Sequence, residues 1–590
     1  MSDAVAEIRG AFSPERSAGF VSNTWNTYNN QRSVKMQQFQ ELKEYLFATD
    51  TSTTSNNSLP WKNSTTLPKL TQIRDNLHSN YMATLFPNDK WLSWQAYTKD
   101  AAKKDKARNI TAYMENKTRE SNFRTEISKC VLDYIDYGNV FGTVIYENRV
   151  FTSEAGERTA NYIGPRAVRI SPEDIVFNPL ATSFKDSFKI VRSTTTLGEL
   201  KKRAMTNPDD AYLTKVLQHR EDVRNLLGGG TKSEDFNKAM QYQVDGYGSL
   251  YEYYMGEYVE LLEFYGDYHD NETGELQVNR LITIADRNVE LRNVEMPTYA
   301  GTAPIWHVGW RQRPDNLWSM GPLDNLVGMQ YRIDHLENLK ADAMDLTIHP
   351  PLKIIGEVEE FIWGPGVPIH IDENGDVQEL GSNLNSIIIA NNEIQSIMDQ
   401  MELMAGAPRE AMGIRSPGEK TAFEVQLLDN ASGRIFQEKA TSFEVNFEEP
   451  LLNGMLEASR RNFDQIETIR VLDTSVGSQR FYEVTKEDIT ASGVIRPVGA
   501  RHFAQQATEL QNLIGISQTP LWQQVAPHTS GEALTEFIND VTNLRAYNIF
   551  KVNVAIDEQQ KTAALLDQSG EELEVQAQTP VEPASMPIDA

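Results

Sequence analysis

Two stretches in the second half of the chain carry apolar residues at helical spacing. In residues 323–346 the apolar positions recur every three or four residues, which places them on one face of a helix. They are Leu326, Met329, Ile333, Leu336, Leu339, Ala343 and Leu346. In residues 384–404 the same spacing relates Ile387, Ile394, Ile397, Met401 and Met404. The pattern therefore predicts two amphipathic helices.

The segments beside these helices have different patterns. Residues 347–383 are rich in β-forming residues, and Asn374-Gly375 is a hairpin signal. Residues 406–420 (GAPREAMGIRSPGEK) hold three glycines and three basic residues and predict a flexible loop. From residue 421 to 463 the pattern is helical again, with a kink predicted at Pro450.

The first half of the chain mixes both periodicities. One predicted helix places Val34, Phe39, Leu42 and Leu46 on its apolar face, and another places Leu70, Ile73, Leu77, Tyr81 and Leu85 there. Several segments rich in β-branched and aromatic residues follow and predict strands. Because strands and helices do not alternate regularly, no parallel sheet is indicated, and the predicted fold class is α+β.

Three further segments differ in composition from their neighbours. Residues 197–245 are charged and predict a mostly helical insertion. Residues 500–556 predict further helices, and residues 557–590 are polar, acidic and proline-containing. The last segment is predicted to be disordered, because it has too few apolar residues to form a core.

The charge of the chain restricts its partners. Among 590 residues there are 56 Lys and Arg against 83 Asp and Glu, a formal net charge of −27. This balance argues against a broad surface that grips nucleic acid, which would be basic. It is compatible with DNA passing nearby, because an acidic wall repels phosphate and discourages adhesion.

Candidate chemistry is sparse in the sequence. The single cysteine, Cys130, excludes a disulfide framework within one chain and is predicted to be buried on a helix. The sequence has no HExxH motif, no Cys/His cluster and no GxSxG motif, and its GGGTKS stretch at 228–233 lacks the spacing of a phosphate loop. No signal peptide and no apolar run of 18 residues is found, which predicts a protein of a reducing cytosol without a membrane span. We expect neither an enzyme nor a bound cofactor or metal.

The order of the motifs resembles that of a known family. GPLDNLVGMQYRIDHLENLKADA, HPPLKI, WGPGVPIHI and GAPREAMGIRSPGEKTAFEV follow one another within residues 320–460. RISPEDIVFNPLA and IWHVGWRQRPDNLWSMGP stand in the first half. Together they resemble the portal protein, or head-to-tail connector, of tailed bacteriophages, closest to the short-tailed type. The resemblance covers roughly residues 60–556 and excludes the 197–245 insertion.

This resemblance implies a ring, usually of twelve identical subunits, around a channel for double-stranded DNA. The expected partners are other copies of the chain, the DNA, the terminase, the major capsid and scaffolding proteins, and tail adaptor proteins. The expected location is the capsid vertex of a virion assembled in the host cytoplasm. The implied divisions are a wing region (1–322), a first stem helix (323–346), a clip (347–383), a second stem helix (384–405), a tunnel loop (406–420), a kinked wing helix with following strands (421–499), a helical crown (500–556) and a tail (557–590). Within the stem, polar residues such as Asn325, Gln330, Asn391 and Gln395 are expected to face neighbours or the channel.

The tunnel loop supplies the candidate site residues. Arg409, Arg415 and Lys420 are predicted to contact DNA phosphates transiently, without reading base sequence. Gly406, Gly413 and Gly418 are predicted to supply the backbone freedom that a projecting loop needs. Alternatively, the three basic residues form ion pairs with Glu410, Glu419 or neighbouring subunits.

Two other functions remain open from the sequence alone. A packaging ATPase or nuclease would need a phosphate loop and clustered metal-binding carboxylates, and the phosphate loop is absent from the sequence. A soluble adaptor or scaffold without a channel would not need two stem-like helices around a β module. Ring formation separates the portal hypothesis from the adaptor hypothesis.

Overall fold

The structure is a computed structural model. It describes residues 14–47, 63, 65–86, 91–98, 104–152, 158–206, 210–228, 250–270, 273–299, 301–348, 350, 352–355, 376–379, 384–405, 435–463, 466–473 and 478–497. The chain divides into two compact units, Met1–Glu467 with Val484–Pro497, and Thr468–Glu483 with Val498–Ala590.

The described elements mix α-helices and β-strands. The helices are α1 (Arg16–Gln31), α2 (Ser33–Leu46), α3 (Lys69–Leu85), α4 (Lys104–Glu120), α5 (Phe123–Asp136), α6 (Leu197–Thr206), α7 (Ala211–Gly228), α8 (Leu250–Met255), α9 (Val327–Ile348), α10 (Leu384–Met404), α11 (Glu449–Asn462) and α12 (Lys486–Ile489). The strands are β1 (Leu92–Ala96), β2 (Asn139–Thr152), β3 (Arg158–Ile170), β4 (Ile175–Phe177), β5 (Lys189–Thr196), β6 (Tyr258–His269), β7 (Leu276–Ala285), β8 (Val289–Glu295), β9 (Ile305–Gly309), β10 (Arg311–Arg313), β11 (Asn316–Met320), β12 (Leu352–Ile355), β13 (Asp376–Glu379), β14 (Ile466–Asp473), β15 (Ser478–Thr485) and β16 (Gly493–Pro497). This composition agrees with the predicted α+β class.

A five-stranded antiparallel sheet, in the order β4-β5-β6-β7-β8, is covered by helices on both faces. Successive side chains of a strand point to opposite faces. Leu262 of β6 accordingly packs with Trp25 of α1, whereas its neighbour Leu261 packs with Leu200 of α6 and Val216 of α7. The helices of the 197–245 insertion therefore form one side of this sheet's core.

The turn between β7 and β8 adopts an uncommon backbone conformation. Asp286 and Arg287 have φ values of 50° and 58°, and the amide of Asn288 donates to the carbonyl of Ala285 over 3.1 Å. Positive φ at both central residues defines a type I′ turn, which normally favours Asn and Gly. Larger residues in this conformation require support from their surroundings.

Two buried ion pairs supply that support. Arg220 of α7 donates to Asp286 over 2.8 Å, and the side chains of both residues are 1% exposed. Arg287 binds Glu260 through two hydrogen bonds of 2.7 and 2.8 Å, with both side chains fully buried. The insertion is thus tied to the turn by a charged contact as well as by apolar packing.

A three-stranded antiparallel sheet, β3-β2-β9, packs against α5 and α11. Gly138 joins α5 to β2 at φ +64°, a conformation that glycine adopts without steric cost. A Cβ atom there would lie 2.2 Å from the backbone nitrogen of Gly321. The close approach of these two segments therefore requires glycine at position 138.

The helix predicted after residue 421 is observed from residue 435, and α11 forms its last part. A π-helical turn at Glu444–Glu448 lies directly before Pro450, where a kink was predicted. Proline lacks an N–H group and clashes with the carbonyl four residues earlier, so a local change in helix winding is expected there. The structure thus shows a change of helix winding just before Pro450, and the predicted kink itself stays a prediction.

The two apolar faces predicted in the first half of the chain are buried, except at Val34. Leu70, Ile73, Leu77, Tyr81 and Leu85 are all at most 2% exposed, and Cys130 is buried on α5 as predicted. Val34 was predicted on the buried face of α2 but is 65% exposed. Val34 stands five residues before Phe39, which puts the two side chains on different sides of the helix.

The second unit is described only through its short β segment. Strand residues of β14 and β15 pair as a two-stranded sheet. The predicted crown at 500–556 and the predicted tail at 557–590 lie outside the described residues.

Candidate functional site

Helices α9 and α10 pack against each other, and the β12–β13 pair lies between them in the chain. They occupy the positions of the two helices predicted at 323–346 and 384–404. Ile333 and Leu336 of α9 and Ile394 and Met401 of α10 are buried. Arg332 and Glu393 form an ion pair of 3.0 Å between the helices, with both side chains more than 40% exposed.

Many other apolar side chains on this helix pair face solvent. We call them the outer apolar surface. It comprises Tyr331, Leu339, Met344 and Ile348 of α9, Ile388, Ile389, Leu403 and Met404 of α10, and Ile354 and Ile355 of β12. The most exposed isoleucine is Ile389, at 65%. Such a concentration of exposed apolar residues in one part of a protein indicates an interaction surface.

The charges of α10 do not offset this apolar character. Between Leu384 and Met404 the helix has three acidic residues and no lysine or arginine. Long charged side chains that could cover apolar surface in a monomer are therefore missing from this helix. A partner that covers α10 would bury mainly isoleucine, methionine and uncharged polar groups.

The polar side of α9 is occupied by a segment from the first half of the chain. We call residues 63–70 the strap; residue 64 is outside the described residues. The amide N–H groups of Leu70, Leu67, Thr65 and Asn63 donate in turn to Gln330 Oε1 (3.2 Å), Asp334 Oδ1 (2.9 Å), Asn338 Oδ1 (2.7 Å) and Asp342 Oδ1 (3.0 Å). All four acceptor side chains are at most 2% exposed.

This arrangement corrects one prediction. Gln330 was expected to face a neighbouring subunit or the channel, but it is buried and donates to the carbonyl of Leu67 over 2.6 Å. A buried polar group needs hydrogen-bond partners, and the strap supplies them. Asn325, Asn391 and Gln395 are exposed, and their contact with a neighbour or the channel stays a prediction.

The strap also reaches α10. Lys69, the first residue of α3, donates to Glu402 and to Gln72, the second over 2.9 Å. The side chains of Lys69 and Glu402 are 8% and 7% exposed, so their charges are largely removed from water. Apart from Gln330, none of the side chains in these contacts was predicted from the sequence. The repeat of polar residues at 330, 334, 338 and 342 was the available signal, because four-residue steps mark one helical face.

The predicted DNA-contacting residues stand just beyond α10. Gly406, Arg409, Gly413, Arg415, Gly418 and Lys420 all lie outside the described residues, so the structure does not bring them together or separate them. The last described residue before the loop, Ala405, is 1% exposed, and its amide donates to the carbonyl of Met401 over 3.0 Å. The segment predicted as the tunnel loop thus follows a residue that is itself buried.

A cavity of about 880 Å³ in the first unit is a weaker candidate. Its wall includes Lys189, whose pKa burial lowers to about 8 and whose ammonium donates to the carbonyl of Ser187 over 2.7 Å. The wall also includes His307, whose pKa burial lowers to about 3 and whose ring is stacked against Phe141. A base this weak does not carry a proton near neutral pH, and both side chains are held by the surrounding fold.

Among the described residues, no group of three or more His, Cys, Asp or Glu side chains is placed to hold a metal ion. No described helix is both long enough and apolar enough to cross a membrane. The helix pair with its outer apolar surface is therefore the principal candidate site. No protein-family model matches the chain, and no curated protein matches it significantly.

Proposed function

We propose that the chain is the subunit of a portal ring of the tailed-bacteriophage type. The ring would form a channel at one capsid vertex, through which the terminase packages double-stranded DNA and through which the DNA is later ejected. The tail would attach to the same ring. α9 and α10 would form the stem, the segment with β12 and β13 the clip, and residues 406–420 the tunnel loop.

The outer apolar surface carries this proposal. All of its exposed side chains except Ile354 and Ile355 belong to the two helices that a ring would place against neighbouring copies. Burying them would favour assembly by about 25 cal/mol per Å² of apolar area. In a ring each subunit presents one surface to the next, and the contact closes after a fixed number of copies. The order of the motifs in residues 320–460 supports the same assignment.

An acidic channel with a few basic positions suits the passage of DNA. The net charge of −27 opposes lasting adhesion of phosphate, and Arg409, Arg415 and Lys420 would provide weak local attraction. A soluble adaptor or scaffold protein is the alternative. It would also bury the outer apolar surface, but against a different protein and without closing a ring.

The mass of the purified protein in solution and negative-stain images test the proposal. We expect a ring with a central hole and a mass near twelve times the 66.8 kDa of the chain. A chain that remains monomeric after concentration and in the presence of scaffolding protein would reject the ring. The adaptor hypothesis would then take its place.

Charge reversal in the tunnel loop tests the role of its basic residues. The double variant R409E/R415E is expected to assemble into rings but to package DNA about tenfold less well. In the ring, two sets of positive charges around the channel would become negative and would repel the DNA phosphates. The double variant K201E/K202E on α6 is the control, since it changes net charge equally at exposed positions of the insertion. Packaging and ejection at the unmodified level in R409E/R415E would argue against DNA contact by this loop.

A further inference from the structure

The strap and α9 fit each other through matched repeats. In an extended chain every second amide points the same way, and two residues advance about 6.6 Å. One helical turn advances about 5.4 Å and four helical residues about 6.0 Å. Three successive amides of the strap can therefore each reach a side chain one turn further along α9. The pairs are Asn63 with Asp342, Thr65 with Asn338, and Leu67 with Asp334. The contact is made by strap backbone and helix side chains, so it fixes the position of the strap along α9.

The end of the strap is attached to the second helix. Lys69 stands next to Leu70, the last residue whose amide binds α9, and forms a buried ion pair with Glu402 of α10. Glu402 lies in the last turn of α10, four residues before Gly406. One short segment therefore contacts α9 at four positions about one turn apart, and α10 at the end that precedes residues 406–420.

Breaking the contacts between the strap and either helix is unfavourable in free energy. A buried ammonium or carboxylate that loses its partner keeps the penalty of desolvation without the compensating attraction. Asp334 Oδ1 accepts the main-chain N–H of Leu67, and Asp342 Oδ1 accepts the main-chain and side-chain N–H groups of Asn63. The second oxygens of both carboxylates are buried without a hydrogen-bond partner among the described residues. Release of the strap would leave these groups still less satisfied, which favours the closed arrangement.

We propose that the strap is a clamp that holds the last turn of α10 against α9 and so fixes the root of the 406–420 loop. Lys69 is the positioning residue of this clamp, and Asn338 holds the strap on the α9 side. The clamp is a property of the single chain. Its consequence for DNA passage rests on the proposed portal function, because only there does the position of the loop matter.

Hydrogen exchange of the full-length protein tests the clamp. In K69M we expect the amides of residues 398–405 to exchange at least tenfold faster than in the unmodified chain, because the buried Glu402 loses its partner. Amides of residues 387–393, at the other end of α10, should be unchanged. K35M is the matched control. Lys35 forms a half-buried ion pair of 3.1 Å with Asp324, just before α9, and its loss should leave residues 398–405 unaffected.

A second variant, on α9, tests the clamp independently of Lys69. N338A removes the acceptor for the Thr65 amide and leaves Lys69 intact. The clamp requires faster exchange in residues 398–405 as well as in the strap. If exchange in N338A changes only at residues 63–67, the proposal is overturned. It is also overturned if residues 398–405 of K69M exchange within twofold of the rate in the unmodified chain. Unchanged exchange in β6 verifies that either variant is folded.

The outcome is independent of ring formation. If the protein is monomeric and K69M speeds exchange in residues 398–405, the result supports the clamp and rejects the portal ring. If the protein forms a twelve-fold ring and K69M keeps full protection at residues 398–405, the result supports the portal assignment and rejects the clamp.

Discussion

The double variant I388D/I389D is expected to yield a folded monomer that no longer assembles. These side chains are 59% and 65% exposed in the single chain, so the substitutions should change the free energy of unfolding of the monomer by about 1 kcal/mol or less. In the ring they would be covered by a neighbour. Each lost isoleucine would weaken the interface by about 1.5–3 kcal/mol, and burial of each carboxylate adds a further penalty.

Mass in solution and thermal unfolding measure the two effects separately. A loss of more than about 4 kcal/mol per interface lowers pairwise affinity about a thousandfold, enough to abolish rings at micromolar concentration. M205D is the control, because Met205 is 83% exposed on α6 in the insertion, outside the region that resembles portal proteins. Rings of unchanged mass in I388D/I389D would remove α10 from the subunit interface.

The variant R220M is expected to lose about 3–5 kcal/mol of folding stability. Arg220 is fully buried, binds Asp286, and donates to the carbonyls of Tyr253 and Tyr258 over 2.8 and 2.7 Å. Methionine fills a similar volume but leaves the Asp286 carboxylate buried without this cation. The type I′ turn that contains Asp286 would also lose one of its supports.

Chemical unfolding of R220M and R203M provides the comparison. Arg203 pairs with Glu199 over 2.8 Å on α6, but both side chains are more than half exposed. Its removal should cost about 0.5 kcal/mol or less, because water screens exposed pairs. Equal effects of the two substitutions would show that the buried pair is dispensable. The contact between the insertion and the five-stranded sheet would then contribute little to folding stability.

Local periodicity predicted several of the helices that the structure describes. The face from Leu70 to Leu85 is buried as expected, and the helix pair is present where apolar spacing indicated it. Helical repeats are readable because three- and four-residue steps bring side chains to one face whatever the rest of the fold does. The α+β class followed from the same reasoning.

Long-range polar contacts could not be predicted in this way. Gln330 was expected at an interface because a polar residue interrupts an apolar pattern, but its partner is the strap, some 260 residues earlier in the chain. Likewise, nothing near Lys69 in the sequence indicates Glu402. Sequence pattern gives the face on which a residue lies, but the group opposite depends on tertiary structure. The tunnel-loop residues remain predictions, since they lie outside the described residues.

The strap has a consequence for how this protein can vary between relatives. Because α9 recognises its backbone, residues 65 and 67 can accept many side chains, whereas positions 330, 334, 338 and 342 must keep acceptors of suitable length. Proline is the exception, since it has no amide proton to donate. Pro68 occupies a strap position that gives no bond to α9, whereas a proline at 65, 67 or 70 would remove one. Among homologues, tolerance should therefore be high at strap residues 65 and 67 and low at the four acceptor positions of α9.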